Sequence, residues 1–193
     1  MSKLAMEVLH PSQERTADWA KQIALAVGAS LFVALCARVT VPLPGNPVPL
    51  TLQNFGVLVV GLVLGPRRAF TALVLYLAEG AAGLPVFNPA GPGGIAQLFG
   101  PTGGYLMSYP FVAALAGLMV ERGRKTFAHA AFAGLAAEIL LFAMGLCWLA
   151  IWTGSISRAI QLGLYWFLFA EVIKILMAAA VSVRLKRMPK VQA

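Results

Sequence analysis

Residues 165–177 read YWFLFAEVIKILM, an apolar run that is interrupted only by Glu171 and Lys174. A helix needs about 20 apolar residues to cross roughly 30 Å of hydrocarbon. Extended to 162–183, this run therefore predicts a transmembrane helix. A charged side chain inside such a helix costs about 2.5 kcal/mol or more, so it normally faces a cavity and marks a substrate or ion path.

The rest of the chain has the same apolar character. Its 193 residues are 60% hydrophobic and 11% charged, whereas soluble domains carry about a quarter charged residues. Further apolar runs predict five more spans, at 22–39, 50–65, 69–83, 103–120 and 129–153. We therefore expect an all-α integral membrane protein of six transmembrane helices. Its membrane domain would be 22–187, between an N-terminal segment at 1–21 and a tail at 188–193.

The basic residues indicate how the chain is oriented. The formal net charge is +8, and the basic side chains cluster at every second boundary between apolar runs. The clusters are Lys3, Arg15 and Lys21; Arg67 and Arg68; Arg122, Arg124 and Lys125; and Arg184, Lys186, Arg187 and Lys190. Because cytoplasmic loops carry the excess of Lys and Arg, both termini are predicted to be cytoplasmic. This pattern explains the charge without nucleic-acid binding, which is not expected.

Two segments rich in glycine and proline are predicted on the external side. Residues 41–49 contain four prolines, which remove backbone donors and prevent a helix, so a rigid loop is expected. Residues 83–104 are crowded with glycine and proline and carry no charge. Irregular backbone near a bilayer is tolerated only when it packs in protein or lines a cavity. This second segment is therefore predicted to fold inward as a cap.

Glu171 and Lys174 are the leading candidates for a binding site. Their i, i+3 spacing places them on one helix face. They either line a ligand cavity or form a structural ion pair that locks helices together. Glu79 and Glu138, each single in its span, are either further polar contacts or hydrogen-bond partners between helices.

Other kinds of site are not supported by the sequence. Cys36 and Cys147 lack metal-ligand spacing, and the run GPTGGY at 100–105 lacks the Gly-Lys-Ser/Thr ending of a phosphate-binding loop. No motif of a nucleophilic enzyme is present. We therefore expect a protein that is not an enzyme, without a metal or a cofactor.

A stripe of small residues lies on the first predicted helix. Ala26, Ser30 and Ala34 repeat at four-residue spacing, which lets two helix backbones approach closely. The second helix belongs either to a partner or to this same chain.

Several of these stretches together resemble the BioY family. The stretches are PVPLTLQ at 47–53, LGP at 64–66, GAAGLPVF at 80–87, GG at 93–94 followed by GPTGGY at 100–105, and the acidic residue three before a lysine in the last helix. They follow the family's order and spacing, and the resemblance covers roughly 22–187.

The resemblance implies the biotin-binding subunit of an energy-coupling-factor (ECF) vitamin importer. Such a subunit has six helices, captures biotin outside, and works with a transmembrane coupling protein and two cytoplasmic ATPases. Action without those partners, as an oligomer of this chain, stays open. The expected location is the plasma membrane of a bacterium or archaeon, in contact with membrane lipid.

The resemblance also implies roles for residues. Glu171 and Lys174 fall where the family contacts the biotin head group, and the stripe of Ala26 and Ser30 faces the coupling protein. The ureido ring of biotin offers two N–H donors and one carbonyl, so Glu171 can accept while Lys174 donates. Further contacts are expected from residues that can complete the polar set or supply an aromatic wall: Asn88 and Gln97 on the cap, and Trp148, Tyr165 or Trp166.

Two alternatives remain at this point. The chain is a subunit of similar fold for a different small vitamin, or it is a non-transporting membrane scaffold in which the Glu171–Lys174 pair only locks helices.

Overall fold

The computed structural model describes the backbone of residues 3–187 and the side chains of residues 18–186. This part of the chain is mostly helical. The helices are α1 Lys3–Arg38, α2 Gln53–Leu64, α3 Pro66–Ala81, α4 Gly94–Phe99, α5 Gly103–Arg122, α6 Phe127–Thr153, α7 Ile156–Ile160 and α8 Leu168–Arg187. A π-helical turn, Gln161–Tyr165, connects α7 to α8. The tail predicted at 188–193 lies outside the described residues.

Several helices are long and apolar enough to cross a membrane. Among the described residues these are Asp18–Arg38 of α1, together with α5 and α6; a fourth is present if α7, the π turn and α8, which bend by 48°, count as one. The prediction of a helical membrane-type fold is therefore confirmed. Helix α2 has 12 residues and α3 has 16, so both are shorter than the length that crosses the hydrocarbon unaided.

Helix α2 lies at the centre of the bundle. Its residues from Gln53 to Leu62 are all buried, and it contacts α1, α3, α5, α6 and α8. A helix that is apolar all round is kept from water by a protein core or by lipid, and here the neighbouring helices surround α2. The two polar residues at its start, Gln53 and Asn54, are consequently carried into the interior.

Helices α5 and α6 pack closely because a glycine lies at their contact. A Cβ added to Gly104 would overlap the Cβ of Trp148 on α6. Small residues at such points let helix backbones approach and increase van der Waals contact. The close approach brings the side chains of Tyr105 and Phe142 together, with ring centroids 6.4 Å apart.

The proline-rich segment forms a short hairpin. Strands β1, Thr40–Val41, and β2, Leu50–Thr51, pair antiparallel, with Thr40 opposite Thr51. The side chain of Asn46 donates to the carbonyl of Leu162 in the π turn at 2.8 Å. This bond holds the hairpin beside the start of α8.

The segment between α3 and α5, residues 82–102, packs onto the bundle. Val86, Phe87, Asn88 and Gln97 are all buried. The hydroxyl of Tyr76 on α3 donates to the carbonyl of Val86 at 2.9 Å. The inward-packed character expected of this segment is therefore present; its position on the external side of the membrane domain is a proposal made below.

The small-residue stripe of α1 lies largely inside the chain. Ser30 is fully buried and its hydroxyl donates to the carboxylate of Glu79 on α3. Ala26 and Ala34 are half-buried and pack against the core. The prediction that Ser30 faces a partner is wrong, because α1 packs on α3 through this face. The same bond shows that Glu79 serves as a helix–helix hydrogen-bond partner.

Candidate ligand-binding site

A cavity of about 50 Å³ lies where the start of α2 meets α5, α6 and α8. The hairpin and the 82–102 segment also contribute to its wall. Its polar lining consists of Thr51, Gln53, Asn54, Asn88, Thr102, Glu171 and Lys174, and its aromatic lining consists of Tyr105, Tyr109, Phe142 and Phe167. Apolar walls with a few convergent polar groups are typical of sites for small molecules.

A buried ion pair forms one side of the cavity. The Nζ of Lys174 lies 2.7 Å from Oε1 of Glu171, and both residues are nearly inaccessible to solvent. The two charges share a face because they are three residues apart at the start of α8. Removing either one alone would leave an uncompensated buried charge, which is strongly unfavourable.

Asn54 connects this pair to a second carboxylate. Its Oδ1 accepts from Nζ of Lys174 at 2.9 Å. Its Nδ2 donates to Oε2 of Glu171 and, at 3.3 Å, to Oε1 of Glu138. The amide is thus oriented by three charged or ionisable groups on α6 and α8. Lys174 keeps a third N–H, and Glu171 keeps lone pairs, for a ligand.

Asn88 and Gln53 add a donor and an acceptor. The Oδ1 of Asn88 accepts from the backbone N–H of Ala90 at 3.2 Å, which leaves the amide N–H groups of Asn88 available. The Nε2 of Gln53 donates to Tyr76 at 2.6 Å, which leaves its carbonyl oxygen available. The cavity therefore offers both donors and acceptors to a compact polar ligand.

The π turn shapes the opposite wall. The hydroxyl of Tyr105 donates to the carbonyl of Gly163 in this turn at 3.1 Å. Single π turns within helices are rare and are frequently found at functional sites. The turn starts α8 at a new angle, which directs Phe167 and Glu171 toward the cavity.

The structure brings three of the seven candidate ligand-binding residues together. Glu171, Lys174 and Asn88 all line the cavity. Gln97 and Trp148 do not, and instead hold the 82–102 segment: Oε1 of Gln97 accepts from the N–H of Gly93 at 3.1 Å, and Nε1 of Trp148 donates to the carbonyl of Gly100 at 2.8 Å.

The aromatic wall is not the predicted one. Tyr165 is 71% exposed and Trp166 is 65% exposed, because the π turn directs both side chains away from the bundle. The cavity is walled by Tyr105, Tyr109, Phe142 and Phe167 instead.

Sequence reasoning also missed Asn54 and Gln53. A signal was present, since two amides precede the uninterrupted apolar run FGVLVVGLVL at 55–64. Polar residues in membrane-type helices normally face the bundle interior. The four aromatic residues offered no comparable signal, because aromatic residues are common throughout the chain.

Comparisons with known proteins agree on one family. The model of the BioY family matches residues 6–190. The probable biotin transporter BioY of Pyrococcus horikoshii is 38% identical over 171 residues, which is 86% of this chain and 97% of that protein. The biotin transporter BioY of Thermotoga maritima is 36% identical over 165 residues, which is 84% of this chain and 95% of that protein.

A solved structure has the same fold. It is the S component for biotin from an ECF-type ABC transporter, with a TM-score of 0.81 and 23% identity, covering 90% of this chain and 94% of that one. The resemblance seen in the five sequence stretches thus extends over nearly the full length, and the chain belongs to the BioY family.

Proposed function

We propose that this chain is the biotin-binding and uptake subunit of an ECF-type vitamin importer. The observation that carries the proposal is the buried cluster of Glu171, Lys174 and Asn54 at the wall of an aromatic cavity. Family membership and the names of the relatives support it, since several are named biotin transporters.

The free hydrogen-bonding groups of the cavity match the head group of biotin. The ureido ring carries two N–H donors and one carbonyl acceptor. Glu171 accepts from one N–H, and the third N–H of Lys174 donates to the carbonyl. Gln53 and Asn88 supply one further acceptor and one further donor. The sulfur-containing ring then packs against the aromatic side chains.

Binding requires the cavity to widen. Its volume of about 50 Å³ is below the roughly 300–1,000 Å³ that is usual for small-molecule sites. The 82–102 segment is a cap on the external side, which moves away to admit biotin and then closes with Asn88 against it.

The chain crosses the membrane six times in this proposal. Helices α2 and α3 are the two short crossings, and α2 is shielded from lipid by its neighbours. The basic turns at Arg67 and Arg122 and both termini lie in the cytoplasm of a bacterium or archaeon. The hairpin and the cap then lie outside, at the same end of the bundle as the cavity.

Transport driven by ATP needs further subunits, because a binding cavity alone does not use ATP. A transmembrane coupling protein and two cytoplasmic ATPases reorient the subunit so that biotin is released inside; a second copy of this chain is the alternative partner. Among the described residues, Val27, Leu31 and Leu35 of α1 form an exposed apolar face for lipid or for the coupling protein.

Equilibrium binding of labelled biotin to the purified chain tests the proposal. We expect saturable binding that unlabelled biotin displaces and that thiamine or riboflavin does not. Binding of another vitamin in place of biotin would assign the chain a different substrate. Binding of no vitamin would favour the membrane scaffold.

The aromatic wall leads to a paired prediction. Phe142→Ala is expected to weaken biotin binding roughly tenfold, because the ring packs on Tyr105 at the cavity wall. Tyr165→Ala is the matched control and is expected to leave the dissociation constant unchanged, since its side chain is exposed. An equal loss of biotin affinity in the two variants would show that Phe142 does not contact biotin at the cavity wall.

A further inference from the structure

Glu138 is the deepest carboxylate of the polar cluster. It is 2% exposed and lies behind Asn54 rather than on the cavity wall. One of its oxygens, Oε2, has no hydrogen-bond partner among the residues that the structure describes. An ionised carboxylate in such surroundings carries a penalty of several kcal/mol unless a cation compensates it.

The charges around Glu138 do not balance if both carboxylates are ionised. From α8 it faces Glu171 and Lys174, and from α5 it faces the phenol of Tyr109, which is neutral. From α2 it faces Asn54, which has no charge. Among the residues that the structure describes, the one ammonium of the cluster lies 2.7 Å from Glu171, which leaves the second carboxylate without a cation of its own there.

One added proton would make the cluster neutral. The hydrogen bonds of the two carboxylates indicate that Glu138 is the group that binds it. Glu171 already receives hydrogen bonds from Lys174 and Asn54, which both stabilise its anionic form. Glu138 receives one bond, from a neutral amide, and its other oxygen is free to carry hydrogen.

We infer that Glu138 holds this proton and, in its neutral form, acts as a positioning residue for the ligand site. It accepts from Nδ2 of Asn54 and so keeps Oδ1 of Asn54 toward Lys174. The inference deepens the proposed function, and rests on it wherever biotin binding is measured. The protonation itself does not depend on the identity of the ligand.

Loss of the proton would weaken ligand binding. A ligand that enters the cavity displaces water, which raises the cost of a net negative charge below it. Binding then favours the protonated cluster. The affinity is therefore highest where Glu138 is protonated and Glu171 is still ionised, and it falls as pH rises through the deprotonation of Glu138 in the free protein, by up to about tenfold per pH unit for one proton.

Infrared spectroscopy of the purified protein tests the proton directly. The parent protein is expected to show the carbonyl band of a protonated carboxylic acid at neutral pH, and Glu138→Gln to lose it. Glu138→Asp should move the band. Lys174→Met should strengthen it, because both carboxylates then take protons. An identical band in the parent protein and Glu138→Gln, or no band in the parent, would overturn the assignment.

Binding at several pH values tests the linkage, with biotin amide as the probe because it has no titratable carboxylate. The parent protein is expected to lose affinity as pH rises. Glu138→Gln, a neutral residue of the same shape, should keep the highest affinity that the parent reaches and show no loss of affinity over the pH range in which the parent loses it. Glu138→Leu should bind weakly at every pH, because Asn54 loses its acceptor.

Coinciding pH profiles of the parent protein and Glu138→Gln would overturn the linkage. If neither the parent protein nor any variant binds biotin or biotin amide, the proposed function fails, while the infrared result still decides where the proton lies.

Discussion

Glu171→Gln is expected to weaken biotin binding by roughly ten- to a hundredfold. A carboxylate that accepts a ureido N–H makes a charge-assisted hydrogen bond worth about 1.5–3 kcal/mol. Glutamine keeps the size of the side chain and removes the charge. The structure adds that Asn54 and Lys174 both donate to this carboxylate, so their orientation is disturbed as well. Equilibrium binding of labelled biotin measures the effect.

Lys174→Met should weaken binding to a similar degree, because it removes the donor to the ureido carbonyl. The double variant should lose less than the sum of the two single losses, since both residues belong to one hydrogen-bond network. Glu79→Gln is the matched control. The carboxylate of Glu79 accepts a hydrogen bond from Ser30 and lies outside the cavity, so removing its charge should leave the affinity for biotin unchanged.

A different outcome would assign the pair a structural role. Both single variants would then bind biotin like the parent protein and unfold at lower temperature. The double variant would regain stability without any change in affinity.

Gly80→Ala is expected to reduce biotin affinity by roughly five- to a hundredfold, although residue 80 does not touch the cavity. A Cβ at this position would overlap the tip of the Phe87 ring. Phe87 is buried, and its ring centroid lies 5.4 Å from that of Tyr76. The ring must retreat, and overpacking of this kind costs about 1–3 kcal/mol. Because Asn88 follows Phe87 directly, the displacement reaches the cavity wall.

Gly28→Ala is the control for this substitution. It also places alanine in a helix, but no atom of the described part of the chain lies within 4 Å of the added Cβ. Its affinity should match that of the parent, and its melting temperature should be equal or slightly higher, since alanine is favoured over glycine inside a helix. If Gly80→Ala lowered the melting temperature and left affinity intact, the 82–102 segment would not take part in binding.

Local sequence patterns were sufficient to predict the membrane-type fold and part of the candidate binding site. The apolar runs predicted the helices, and the i, i+3 spacing correctly placed Glu171 and Lys174 on one face. The glycine- and proline-rich composition of residues 83–104 predicted an inward-packed segment. Each of these depends on residues close together in the chain, where helix geometry alone relates position to direction.

Only the tertiary structure decided which distant residues meet. Asn54 reaches Glu138 across 84 residues and Glu171 across 117, and no local pattern encodes those distances. Rotation about a helix axis likewise decides which of several apolar faces turns inward. The rotation of α1 buries Ser30 against Glu79. The π turn directs Phe167 inward and Tyr165 outward. These orientations follow from how whole helices pack, a choice made by the free energy of all their contacts together.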